Sequence, residues 1–317
     1  MTLIALGLHG LGIGFLNSFL EAFLFPRGGM PARRVPVRGP FDLIAPWDVR
    51  PEMADSEIAL LGVTAFVPCI MLAAWARWAE SRQRQSMASV ILVFLMGATV
   101  SVGMAVVLEI ALDASMVSGL RIPAKGALAA LLSAVMLAPL VEEFTKAVPV
   151  LAISRSSFFL ELDDGLVYGA AAGLGFAATE NLLYFFVAWR RSLLLPPELG
   201  VAALLGTITV RSFGGAALHG AATSLTGYGI STQRFLRGTL LSQYVRAAAV
   251  HSAYNFSVFA FGVLLTCGVG GLCPVTLVFG LAMGLGLFAT TIQRIRTIDA
   301  QPSVQPVWEW QEGAGGA

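Results

Sequence analysis

A glutamate pair followed by a lysine, Glu142, Glu143 and Lys146, interrupts the apolar stretch LAPLVEEFTKAVPV. Glu142 and Lys146 are four apart and share a helix face. An ionisable group deep in a membrane span costs about 2.5–3.5 kcal/mol on insertion scales, so it marks function by default. More such groups follow. Glu180 and Asn181 break the apolar end of DDGLVYGAAAGLGFAATENLLYF, His219 sits in RSFGGAALHGAATSLTGYG, and His251 and Asn255 lie four apart in VRAAAVHSAYNF. Two of the chain's 3 histidines thus fall on successive apolar runs.

These residue types suit peptide hydrolysis, which needs an activated water, a polarised carbonyl and a proton for the leaving amine. A glutamate in a low-dielectric pocket can act as general base, a role open to Glu142 or Glu143, with Lys146 tuning the charge. His219 and His251 would polarise the carbonyl and donate the proton, with Asn255 as an oxyanion donor. Alternatively, His219, His251 and Glu180 would bind a divalent metal such as zinc that activates the water. No HExxH is present, and the residues permit either scheme. A transporter or proton relay also places carboxylates and histidines at mid-membrane, but it favours repeated halves, and none is visible. The plainer alternatives are a structural ion pair between helices and a non-catalytic membrane scaffold.

The elements that must hold these groups are apolar helices. Of 317 residues, 56% are hydrophobic and 12% charged, against about 25% charged in an average soluble domain, and the mean hydropathy is +0.77. The expected fold is all-α, a polytopic transmembrane helix bundle of about eight spans. Apolar runs fall at roughly 3–25, 57–76, 88–112, 124–153, 165–189, 199–230, 239–265 and 273–292. The first lacks preceding basic residues and a following cleavage site and reads as a retained span. The expected organisation is N-terminal helices with an Arg-rich loop (1–120), a catalytic transmembrane core (121–292) and a polar tail (293–317). The net charge of +1 argues against a nucleic-acid partner, and the 3 cysteines show no zinc-ligand spacing.

Depth separates the candidates. Glu21 and Glu109 lie near the ends of their runs and can reach the interface, His9 reads as a packed histidine, and Arg211 as the start of the sixth helix. Glu142 and Glu143 lie more than ten residues from both Lys125 and Arg155. Counted from the loops after the fourth and sixth runs, Glu142 is about 11 residues deep, Glu180 about 15, His219 about 11 and His251 about 12, roughly 17–22 Å at helical rise. Counted from the other side, they scatter. One shared pocket or metal would bring these side chains within about 4–8 Å of one another. Gly165, Gly169 and Gly173 recur every four residues and make a smooth face for close helix packing.

In this order the motifs resemble the PrsW family of intramembrane proteases, distant relatives of the CAAX prenyl endopeptidases. The matching pieces are EExxK (Glu142, Glu143, Lys146), DGxxYGxxxGxGFxxxEN (Asp164 to Asn181), the histidine of RSFGGAALHGAATSLTGYG (His219), and HxxxN (His251, Asn255), covering about 125–265. The resemblance implies hydrolysis of membrane-spanning protein substrates such as anti-sigma factors, in an integral protein of the bacterial cytoplasmic membrane. The same superfamily contains a non-proteolytic scaffold subunit of γ-secretase.

Arg77, Arg82 and Arg84, Arg234 and Arg237, and Arg294 and Arg296 place both termini in the cytoplasm by the positive-inside rule, although five arginines within 26–56 run against it. Cys267 and Cys273 then flank an outer loop, where a disulfide is permitted. After reduction, a membrane-impermeant thiol reagent is expected to label Cys267 or Cys273 in intact cells. A C-terminal reporter active only outside the cytoplasm would overturn this orientation.

Overall fold

A computed structural model describes residues 53–81, 85–120, 127–193, 195–266 and 274–301. The first expected span, with His9 and Glu21, lies outside the described residues, as do Cys267 and Cys273. The regular structure of the described residues is helical throughout. α1 is Asp55–Ala79, α2 Met87–Leu120, α3 covers 127–153, α4 is Asp164–Ser192, α5 Pro197–Leu236, α6 Leu240–Thr266 and α7 Pro274–Asp299. These correspond to seven of the eight expected runs. Five helices hold a stretch long and apolar enough to cross a membrane: α1, α2, α4, α5, and α7 from Val278. The figure of eight spans is therefore not reached among the described residues.

The packing is that of a protein in lipid. Leu60, Val63, Met71, Trp78, Val107 and Leu241 point outward and are exposed, while Glu109, Glu142, Glu143, Glu180, His219 and His251 are buried. At the centre runs α4, buried on every side from residue 163 to 178, as expected of a helix that is apolar or small all round. Its neighbours include α1, α2, α3 and α5.

Backbone contact sets the register between α4 and α5. A Cβ on Gly165 would lie 2.2 Å from Gly227 O, on Gly169 2.6 Å from Thr223 O, and on Gly173 2.3 Å from His219 O. Each step of four along α4 is a step of four back along α5, so the helices run antiparallel with their backbones touching. Continued two turns beyond Gly173, the same register brings Glu180 and Asn181 opposite Arg211. Gly173→Ala is expected to destabilise the protein by about 1–3 kcal/mol, because a new methyl group against a backbone oxygen forces the helices apart. Thermal unfolding in detergent measures it, and an unchanged midpoint would contradict the close approach.

Candidate active site

Lys146 is the centre of the buried polar cluster and has no exposed surface. Its Nζ donates to Glu142 Oε2 at 2.9 Å and Glu143 Oε1 at 3.0 Å, both on α3, and lies 2.7 Å from His219 Nδ1 on α5. The Phe176 ring of α4 covers it, with the centroid 4.2 Å away. An ammonium has no acceptor lone pair, so His219 Nδ1 accepts this bond and the ring proton sits on Nε2. That nitrogen lies 3.0 Å from Glu180 Oε2 on α4.

His251 on α6 is held in the same manner. Its Nδ1 lies 3.0 Å from Glu143 Oε1, a carboxylate that can only accept, so Nδ1 carries the proton and Nε2 is left with its lone pair. The two imidazoles meet edge to face, 4.8 Å between centroids. Their remaining nitrogens turn toward one carboxylate oxygen: His219 Nδ1 is 3.8 Å and His251 Nε2 3.9 Å from Glu142 Oε2. Glu143 is fully occupied, because Thr223 Oγ1 donates to its other oxygen at 2.9 Å. Four side chains from four helices, Glu142, Glu180, His219 and His251, are thus brought to one place with Glu143 and Lys146.

Glu142, His219 and His251 each offer one ligand atom, all within 4.8 Å of one another. From sequence, Glu180 is the expected carboxylate partner of the histidines. In the structure Glu180 lies instead on the protonated nitrogen of His219, and Arg211 Nη2 approaches the same Oε2 at 2.6 Å. The carboxylate grouped with both histidines is that of Glu142.

The two asparagines of the motifs lie outside this cradle, and the backbone explains where they go. Among the described residues, three helices contain a π-helical turn: Gly97–Ser101 in α2, Ser133–Leu137 in α3 and Val210–Gly215 in α5. A π turn disturbs the regular ladder, and in lipid any carbonyl it frees needs another partner. A side chain from another helix supplies one in each case. Thr179 Oγ1 donates to Ala98 O at 2.8 Å, Asn255 Nδ2 to Ala134 O at 2.9 Å, and Asn181 Nδ2 to Arg211 O at 3.1 Å. Asn181 also accepts from Arg211 Nε at 3.0 Å.

Two residues near the centre differ from their sequence-based expectation. Arg211 does not begin a helix. It sits in the π turn of a continuous α5, paired with Glu180 and stacked on Tyr184 with its guanidinium carbon 4.0 Å from the ring centroid. Glu109 does not reach the interface. It is 1% exposed and neither carboxylate oxygen has a hydrogen-bond partner. One turn before it, Ala105 packs with Val141, Phe176 and Tyr184, the apolar wall of the same centre. The charge of Arg211 is the signal the sequence offers, but a π turn leaves no mark in apolar periodicity.

Searches of curated proteins and of solved structures returned no match. A family model described as the PrsW family intramembrane metalloprotease matches residues 85–290, from the loop before α2 into α7, and so includes every side chain named in this cluster. That is well over half of the chain, which therefore belongs to the PrsW family of intramembrane metalloproteases.

Proposed function

We propose that the chain cleaves membrane-spanning protein substrates of the anti-sigma-factor kind in a bacterial cytoplasmic membrane, at a centre made by Glu142, His219 and His251. The observation that carries this reading is the orientation of the histidines. Each has one nitrogen against a carboxylate, Glu180 or Glu143, and the other turned toward Glu142 Oε2. Metal-ligating histidines are held in this way, with an outer carboxylate fixing the tautomer.

The donor set fits a metal. Two imidazoles and one carboxylate make a common ligand set of catalytic zinc sites, with the fourth position open. Zinc bonds of about 2.0–2.1 Å imply tetrahedral ligand separations of about 3.3 Å, so the 3.8 and 3.9 Å separations need only a small contraction. Lys146 Nζ, in contact with both Glu142 and His219, stands in for a cation at this cradle. If ionised, Glu109, Glu142, Glu143 and Glu180 outnumber Lys146 and Arg211 by two charges, a balance that one divalent ion restores. Bound there, the ion supplies Lewis-acid polarisation of a carbonyl and an acidified water at neutral pH.

The protein's own groups do the rest. Glu143 and Glu180 hold the imidazoles, Lys146 and Arg211 compensate the carboxylates, and the apolar wall of Val141, Phe176 and Tyr184 limits water. Asn181 and Asn255 act by holding the π turns that aim Arg211 and α3. In this reading 121–292 forms the catalytic core, joined by Glu109 from 1–120, and 293–317 is a tail. The same Lys146 contacts favour a second scheme, in which the ammonium remains in place and Glu142, the less engaged of the pair, serves as general base without metal.

Purified protein in liposomes with a single-span substrate distinguishes these schemes. Glu142→Gln, His219→Ala and His251→Ala are expected to lower cleavage by at least about 100-fold, the scale of losing one group from a preorganised site. His219→Ala should also lose stoichiometric zinc. Glu143→Gln and Glu180→Gln should weaken metal binding by about 10–100-fold, the usual effect of removing an outer carboxylate. Metal-free protein with chelator-resistant cleavage would establish the second scheme, and full activity in both Glu142→Gln and Glu143→Gln would remove both.

A further inference from the structure

A second group of buried acids lies at another level of the bundle and has no part in the proposed chemistry. Glu80 follows the last residue of α1, Asp163 precedes the first residue of α4, and Asp299 is the last residue of α7. A carboxylate oxygen from each lies within 4.8 Å of the others, and all three residues are buried. Asp164 sits beside them, sixteen positions before Glu180, about 24 Å along α4 at helical rise.

Some oxygens of this group are engaged. Asp164 Oδ2 accepts the backbone N–H of Glu161 at 2.8 Å and that of Leu160, and its Oδ1 accepts Gln85 Nε2 at 2.7 Å. Asp299 Oδ2 accepts Ser81 N at 3.1 Å and Ser81 Oγ at 2.6 Å. Gln85 Nε2 donates to Glu80 Oε2 as well. With its amide nitrogen between two carboxylates, the orientation of Gln85 is fixed and its oxygen is identified.

Two oxygens are left over. Asp163 Oδ2 and Gln85 Oε1 have no hydrogen-bond partner, and their residues are 1% and 4% exposed. A carboxylate oxygen shut away from water beside two other acids is costly unless a positive charge or a proton meets it. Burial, followed by the adjacent Asp163 and Asp164, pushes the Glu80 carboxyl up to about 9, against the lowering effect of Gln85. The acids of this group thus raise one another's cost of ionisation.

We propose that Glu80, Asp163 and Asp299 bind a hard divalent cation, with Gln85 Oε1 as a neutral fourth oxygen, and that the ion clamps the ends of α1, α4 and α7. The donor set decides the ion class. It is all oxygen, with three carboxylates and one amide carbonyl, which suits magnesium, calcium or manganese(II) rather than zinc. The ligands come from positions 80, 85, 163 and 299, so one ion ties three helices that are remote in the chain. This inference does not rest on the protease reading and shares no ligand with the first centre.

The test uses full-length protein in nanodiscs, stripped with chelator and carrying His219→Ala and His251→Ala so that the first centre is silent. Equilibrium dialysis with manganese(II) is expected to find one bound equivalent per chain. Saturating magnesium, calcium or manganese(II) is expected to raise the thermal midpoint by about 5 °C or more. Adding Asp163→Asn or Glu80→Gln should abolish both effects. Asp163→Asn should also be at least as stable as its stripped parent, because it removes a buried carboxylate oxygen that no donor meets. If a variant does not fold, the manganese count on the parent still decides. No bound equivalent would mean that protons or arginines neutralise the acids, and the proposal fails. A midpoint rise that persists in Asp163→Asn and Glu80→Gln would place the ion elsewhere and would equally overturn the proposal.

Discussion

A lysine ammonium with no exposed surface, held inside a bundle that lipid surrounds, sets the terms for everything near it. Lys146 requires anionic partners within bonding distance, and Glu142 and Glu143 supply them from its own helix. Those carboxylates in turn need further donors. Thr223 and His251 satisfy Glu143, and the histidines bring Glu180, which brings Arg211. Buried ion pairs gain little net stability, but removing one member costs about 3–5 kcal/mol because a charge is left uncompensated. The network therefore serves position more than stability. Four helices can be arranged in few ways that satisfy all of these groups together.

Geometry this tight needs backbones that come close and side chains that aim inward, and the chain uses separate devices for each. Glycines at 165, 169 and 173 let α4 lie against the α5 backbone, which puts Glu180 opposite Arg211 with its carboxylate within reach of His219. The π turns alter which face of a helix the next residues present. In α5 the turn contains Arg211, and in α3 it lies just before the segment that carries the glutamates. Both turns would leave polar backbone in an apolar interior, and Asn181 and Asn255 each close one. The two asparagines of the motifs thus donate to backbone carbonyls.

That difference marks where the sequence is readable. A charge inside an apolar run is conspicuous, and equal depth on four runs follows from counting residues, so Glu142, Glu180, His219 and His251 can be grouped before any coordinates. The glycine stripe is readable for the same reason, since spacing by four defines a face. Facing across helices is not readable. Counting gives depth but no azimuth, so it cannot tell that Glu142 faces the inner nitrogens of the histidines while Glu180 lies against the outer nitrogen of His219. Glu109 departs from expectation because nearness to the end of an apolar run is not nearness to water. Arg211 departs from it because a π turn adds a residue without interrupting the helix, and apolar periodicity is blind to it.

The two acidic centres differ in a way that follows from what surrounds them. Around Glu142 the donors include imidazoles, and two cationic side chains, Lys146 and Arg211, are built into the wall, so the protein itself offsets part of the acids' charge. Around Glu80 the candidate ligands are oxygens alone, and the neutral Gln85 takes the central place that Lys146 holds in the first centre. Both centres touch α4, the helix that is buried on every side from residue 163 to 178. Its start meets Glu80, Asp163 and Asp299, and its middle carries Glu180. A rigid helix packed backbone to backbone against α5 transmits position along its length. Whatever fixes the start of α4 therefore also fixes the depth at which Glu180 meets His219, without any contact between the two centres.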